Sequence, residues 1–219
     1  MNEKSKKGIK FIVELLLTVI VAIITVSLIQ QLLFVPVGIQ GESMLPTFQD
    51  SGDTAYVQKT GYTLEHDDII IFFRPLTQAA EDMENPAEYK LTVKSFFSNL
   101  LHLKTSISTE DGYTDDGNFR CVIKRVIGVP GDTIEIRNAV LYRNGEVVDD
   151  FPMTERTDTT PGVSDTGEIV VGEGQYYVLG DNRDNSMDSE DYGCIEESWI
   201  LGKVWFVINR TDGFSIKSV

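Results

Sequence analysis

The 219-residue chain is poor in the side chains that build metal centres and disulfide scaffolds. It has two cysteines, Cys121 and Cys194, and two histidines, His66 and His102. Two cysteines exclude a disulfide-dense framework and a four-cysteine zinc site. Two histidines far apart in sequence exclude a multi-histidine metal centre, and no metal or other cofactor is expected. Basic residues are also scarce. Nineteen Lys and Arg face 34 Asp and Glu, a formal net charge of −15. A nucleic-acid partner is excluded on that ground, because such binding needs basic surface to displace counterions. Long apolar runs are absent too, with one exception.

That exception is Phe11 to Leu33, almost wholly apolar. As a helix it reaches roughly 35 Å, enough to cross a bilayer core of about 30 Å. Glu14 lies one turn inside its start. Thr18, Thr25 and Ser27 can bond to the helix backbone. Lys4, Lys6, Lys7 and Lys10 precede the run, and no Lys or Arg follows until Lys59. The positive-inside rule then puts the N-terminus in the cytoplasm and the rest outside. A cleavable signal peptide is the competing reading. Its apolar core is usually about 7–15 residues and ends in small residues. Here the run is longer and ends in the bulky Gln-Gln-Leu-Leu-Phe-Val-Pro, which favours a retained anchor. The expected division is 1–34, a basic tail and transmembrane anchor in the cell membrane, and 35–219, an extracytoplasmic domain.

Beyond Phe34 the pattern shortens. Candidate strands are Phe34–Gln40, Thr54–Lys59, Asp68–Arg74, Arg120–Val129, Thr133–Arg137, Ala139–Arg143, Glu168–Val171, Gln175–Leu179 and Lys203–Arg210. Gly, Pro, Asn and Asp separate them, as at Arg143-Asn-Gly145. Many short strands with such punctuation predict a mainly β, antiparallel sandwich or barrel-like domain. A polar insert at about 76–118 interrupts it. Within the insert, Leu91–Leu103 puts Val93, Phe96, Phe97, Leu100 and Leu101 on one helical face, fit to pack on the β domain, cap a groove or lie on a membrane.

Three segments carry candidate chemistry. Lys124 lies in an apolar strand among Val122, Ile123, Val126 and Ile127. Burial lowers a lysine pKa, and a neutral amine is a usable general base. Equally, such a lysine can extend its stem and keep its head in water. Ser43 lies in Gly41-Glu-Ser-Met-Leu-Pro-Thr47, where a serine can simply serve a turn. As a nucleophile it needs a base, and neither His66 nor His102 has a triad context. The third segment, Gly180-Asp-Asn-Arg-Asp-Asn-Ser-Met-Asp-Ser189, is crowded with Asp, Asn and Ser and predicts a rigid hydrogen-bonded turn. It fails as a calcium loop, with Arg183, Ser186 and Tyr192 where such a loop needs an oxygen ligand, Gly and Glu.

Together these segments resemble the type I signal peptidases, membrane-anchored Ser/Lys proteases, and within them the bacterial, Gram-positive branch. The resemblance rests on the anchor followed in order by Ser-Met-x-Pro-Thr at 43–47, Asp-Ile-Ile-Ile-Phe at 68–72, Lys-Arg-Val-Ile-Gly-Val-Pro-Gly-Asp at 124–132, and Gly-Asp-Asn-Arg-Asp-Asn-Ser-Met-Asp-Ser at 180–189. It implies Ser43 as nucleophile and Lys124 as general base. Ser186 would hold the lysine amine, Asp181 and Arg125 would form a structural ion pair, and Asp188 would be a supporting acid. Val37, Ile39, Met44 and Ile123 match substrate-pocket positions. Phe34–Gly41 would be an edge strand on which an extended substrate docks. The implied partners are signal-peptide-bearing preproteins, the lipid bilayer and the export translocon.

The chain departs from the family pattern in three places. Gly41 stands where some members have an oxyanion-stabilising serine. Glu190 stands where an arginine is usual. Asp67 stands where glycine is usual before Asp68. The first two keep open an alternative, a catalytically weak or inactive homologue that acts as an assembly or scaffolding factor. Cys121 and Cys194 can be a disulfide or two small buried thiols, and the second reading is favoured.

Overall fold

The computed structural model describes residues 3–48, 53–77, 107–108, 119–148, 165–209 and 215–218. Helix α1 spans Glu3–Leu33. Thr18 and Thr25 return their hydroxyls to the carbonyls of Glu14 and Val21, each at 2.9 Å. The stretch Lys7–Val26 is long and apolar enough to cross a membrane, and none of it is buried against the protein. The helix stops before Pro36, as expected where the residue ahead of a proline is pushed towards extended backbone.

The strands are β1 (Phe34–Gly38), β2 (Thr54–Gln58), β3 (Ile69–Pro75), β4 (Ile107–Ser108), β5 (Phe119–Gly128), β6 (Thr133–Arg137), β7 (Val140–Arg143), β8 (Glu146–Val147), β9 (Gly167–Val170), β10 (Gln175–Leu179), β11 (Ile195–Glu196), β12 (Ile200–Asn209) and β13 (Ser215–Ser218). A short helix, α2 (Ser189–Tyr192), precedes β11. They form two sheets. The larger runs β11-β10-β5-β3-β12-β2-β1-β4, with β13 also on β12; the smaller runs β8-β7-β6-β9. Pairing is antiparallel except between β1 and β4. The predicted mainly β, antiparallel class is the one observed.

β3 explains the core. It lies between β5 and β12 and is buried on both faces. Its alternating side chains therefore feed two apolar clusters. Ile69, Ile71 and Phe73 join Val37, Ile39, Met44, Phe48 and Ile123. Ile70 and Phe72 join Leu64, Val126, Tyr176 and Ile195. A third cluster joins Ile134, Ile136 and Leu141 of the smaller sheet to Ile127 of β5 and Tyr177 and Leu179 of β10. Its β7–β8 turn puts Asn144 and Gly145 at φ 55° and 81°, the left-handed pair that a two-residue hairpin favours.

One expectation needs correction. Phe34–Gly41 is not a bare edge strand: β1 ends at Gly38, and β4, from the polar insert, pairs with Val37 and Gly38 in parallel. Two residues carry too little pattern for a strand to be read in sequence. The expected helix at Leu91–Leu103 lies outside the described residues.

Candidate active site

β5 supplies the lysine. Phe119, Cys121 and Ile123 alternate into the apolar cluster shared with β1. Arg120, Val122 and Lys124 share the opposite face by the two-residue period. Lys124 is only 3% exposed. Its pKa is lowered to about 8, chiefly by burial; the charges of Arg120 and Arg74 push the same way, and Asp188 and Asp181 oppose them. The group therefore gives up its proton around pH 8, well below an ordinary lysine.

The turn after β1 supplies the serine. Gly41 sits at φ 92°, a conformation that other residues rarely adopt. Met44 and Phe48, both buried, root the following residues in the core. Backbone bonds from Leu45 N–H to the Glu42 carbonyl (3.1 Å) and from Phe48 N–H to the Met44 carbonyl (3.0 Å) tighten the turn.

The loop after β10 clasps this turn from above. Asn182 donates its backbone N–H to the Ser43 carbonyl and its side-chain amide to the Glu42 carbonyl, each at 3.0 Å. Asn185 donates to the Glu42 carboxylate at 3.0 Å. The approach is close enough to require Gly180. A Cβ there would stand 2.5 Å from the Ser43 carbonyl oxygen and 2.2 Å from Ser186 Oγ. Thus Gly180 lets the Ser43 turn and the Ser186 hydroxyl converge.

Two buried carboxylates hold the loop. Asp181 accepts Arg125 Nε (2.8 Å) and Nη2 (2.6 Å) in a forked pair, and it also accepts the Thr47 hydroxyl. Arg125 Nη1 reaches the Asp67 carbonyl at 2.8 Å. This one ion pair ties the serine turn, β5 and the loop together. Its partners satisfy one another, the condition under which a buried pair is tolerated. Asp188 accepts Gly180 N–H at 2.9 Å and Glu190 N–H at 3.2 Å, capping α2. Burial raises its pKa, while Gly180, the neighbouring Ser186 hydroxyl, Arg183 and Lys124 favour its anion. Glu190 pairs with Arg183, so the acid that replaces the family's usual arginine is neutralised within its own loop.

Ser43, Lys124, Gly41 and Ile123 line one cleft of about 360 Å³, with Gln40, Glu42, Val122, Asn185, Met187, Arg74 and Arg120. Val37, Ile39 and Met44 lie in the apolar cluster instead, at most 2% exposed. Cys121 and Cys194 are both free thiols, the first fully buried. His66 holds Asp132 at 2.6 Å and takes no part in the cleft. Sequence reasoning missed Thr47, Glu42, Asn182 and Asn185 as clasp residues, although all lie within or beside the quoted motifs. It also missed Arg74 and Arg120, which only strand register reveals.

A family model described as signal peptidase, peptidase S26, matches residues 12–209. The chain belongs to this family. The signal peptidase I of Bacillus licheniformis is 30% identical over 96% of this chain and 99% of its own length. Signal peptidase IB of Staphylococcus aureus strain COL is 29% identical over 90% and 89%. A solved signal peptidase I from Enterococcus faecalis V583 is 24% identical with a TM-score of 0.40, covering 66% of this chain and 99% of that one. Membership makes the protein a peptidase whose substrates carry signal peptides, and the apolar α1 fits a membrane anchor.

Proposed function

We propose that this peptidase cleaves by a Ser43/Lys124 dyad. The observation that carries the reading is that a nine-tenths buried lysine with a pKa near 8 shares its cleft with Ser43. Neutral Lys124 takes the Ser43 hydroxyl proton as Oγ attacks the scissile carbonyl carbon. The tetrahedral oxyanion is met by the Ser43 backbone N–H. The C–N bond then breaks, Lys124 returns the proton to the departing amine, and the mature protein leaves. A water that gives a proton to Lys124 attacks the acyl ester carbon; the ester C–O bond breaks, Lys124 returns the proton to Ser43 Oγ, and the signal peptide leaves with its new carboxylate. Asp188, whose charge acts on Lys124, orients the amine; the buried Ser186 hydroxyl, which has no hydrogen-bond partner at rest, turns to it, and the Arg125–Asp181 pair fixes the loop that places them.

The substrate runs extended between the Gln40–Ser43 turn and the N-terminal half of β5. Among the described residues no strand pairs with the second edge of β5 at 119–124, since β10 takes only residues 125–128. Main-chain bonds to that edge supply affinity, and Ile123 restricts the side chains beside the cut. Residues 1–34 hold the 35–219 domain on the outer face of the membrane, with the N-terminus cytoplasmic. Trp205, 54% exposed, stacks on Phe34 at 5.0 Å directly after α1, a place where aromatic rings favour the bilayer interface. The export translocon is the source of substrate. The scaffolding alternative loses ground, because Arg183 answers the charge of Glu190.

The test uses the full chain in detergent with a preprotein that bears an Ala-x-Ala site. Wild type should cleave it. Ser43→Ala and Lys124→Ala should each lose about 10⁴-fold or more in rate, as other serine-protease nucleophiles and bases do. Wild type that fails where the Bacillus relative succeeds would sink the reading.

A further inference from the structure

The cleft holds two arginines that the mechanism does not use. Arg74 on β3 and Arg120 on β5 are direct cross-strand partners, on the face of β5 that carries Lys124. Like charges opposite each other on neighbouring strands repel. Among the described residues no carboxylate forms an ion pair with either. Arg74 lies over the Tyr192 ring, 5.2 Å from its centroid, which fixes the guanidinium without neutralising it. Arg120 Nε is buried and has no hydrogen-bond partner. This cationic pair stands in a protein of net charge −15, so general surface charge does not account for it.

We propose that Arg74 and Arg120 form an anion subsite that takes a carboxylate side chain of the peptide substrate. The inference rests on the peptidase reading of the cleft. A lone buried guanidinium edge wants an acceptor, and a carboxylate satisfies two such forks at once. The peptide, rather than a lipid headgroup, is the source because both arginines line the same cleft as Ser43 and Lys124. Arg120 stands four positions from Lys124, about 13 Å along an extended chain. The acidic residue therefore lies three to five positions from the scissile bond, on the side that follows β5 towards its N-terminal end. Signal peptides with Asp or Glu there are preferred over those with amides or lysine.

The experiment measures binding of fluorescent Ala-x-Ala peptides to the full-length Ser43→Ala protein in detergent. A single Glu, or Gln in its place, is moved from five positions before the bond to four after it. Glu should bind about tenfold tighter than Gln at one position in the stated window, the scale of a charge-assisted hydrogen bond. The Glu-to-Gln ratio should fall to one in Arg74→Gln/Arg120→Gln and stay above one in Arg74→Lys/Arg120→Lys. Equal binding at every position, or a preference that survives the double Gln variant, overturns the inference. Failure of wild type to cleave any peptide would overturn the dyad reading instead; an Arg-dependent Glu preference in binding would still uphold the subsite.

Discussion

The two sheets treat polarity differently. The smaller sheet is short-stranded, and its Ile134, Ile136 and Leu141 pack in an apolar cluster with Ile127 of β5 and Tyr177 and Leu179 of β10; Asp132, buried just before β6, is held by His66 and Asn144. The larger sheet and its loop bury Lys124, Arg125, Asp181, Arg183 and Asp188 within a few residues of one another. Burying apolar surface stabilises a fold, whereas burying charge costs free energy unless every group is paired. The first region is built to be stable. The second is less stable than an apolar version of itself, and the same burial lowers the Lys124 pKa to about 8.

The sharpest way to break this contrast is Lys124→Met. Activity should fall by about 10⁴-fold or more. Stability should move the other way. Below pH 8 the lysine is protonated in both folded and unfolded chains, and the burial penalty is in full force. Between pH 8 and 10.5 the unfolded chain holds the extra proton, so wild-type stability rises with pH through that window. The difference corresponds to about 3 kcal/mol, which the methionine variant should gain at pH 7 in chemical denaturation. A loss of stability would refute the contrast. In the smaller sheet Ile136→Ala should cost about 2–5 kcal/mol by opening a cavity. It should leave the pH profile of cleavage in place, and a moved profile would show that the two regions are coupled.

The pH profile itself is the next test. With Lys124 near 8, the neutral fraction and therefore kcat/KM should fall about tenfold per unit as pH drops below that value. A flat profile down to pH 6 with chemistry limiting would exclude the lysine as base. The smallest effect concerns Asp67, at φ 76°. Asp67→Gly relieves a left-handed residue and should add about 1 kcal/mol of stability, read from the denaturation midpoint. The Arg125 bond goes to its carbonyl, so the glycine variant keeps that contact.

All nine strands anticipated from turn punctuation and apolar alternation are present, because each has a repeating side-chain pattern. The elements not anticipated are short: β4, β8, β11 and the four residues of α2 have no period to detect, and register on a neighbour defines them. β13, of four residues, is likewise short. At the site, residue types pointed to Ser43, Lys124 and the acids of the last motif. The clasp from Asn182 to Ser43 and the facing of Arg74 with Arg120 depend on which strands become neighbours, a property of the whole sheet and not of any local window. The burial that moves Lys124 is likewise a tertiary quantity. A lysine flanked by apolar residues could as well have pointed outward.

The Asn182–Glu42 contact bridges 140 positions of chain. Residues 41–43 are synthesised before the distant loop that restrains them. A partly synthesised chain thus has its Ser43 turn without the Asn182 clasp. On the proposed dyad, the site is complete only when the last motif has folded back onto the first.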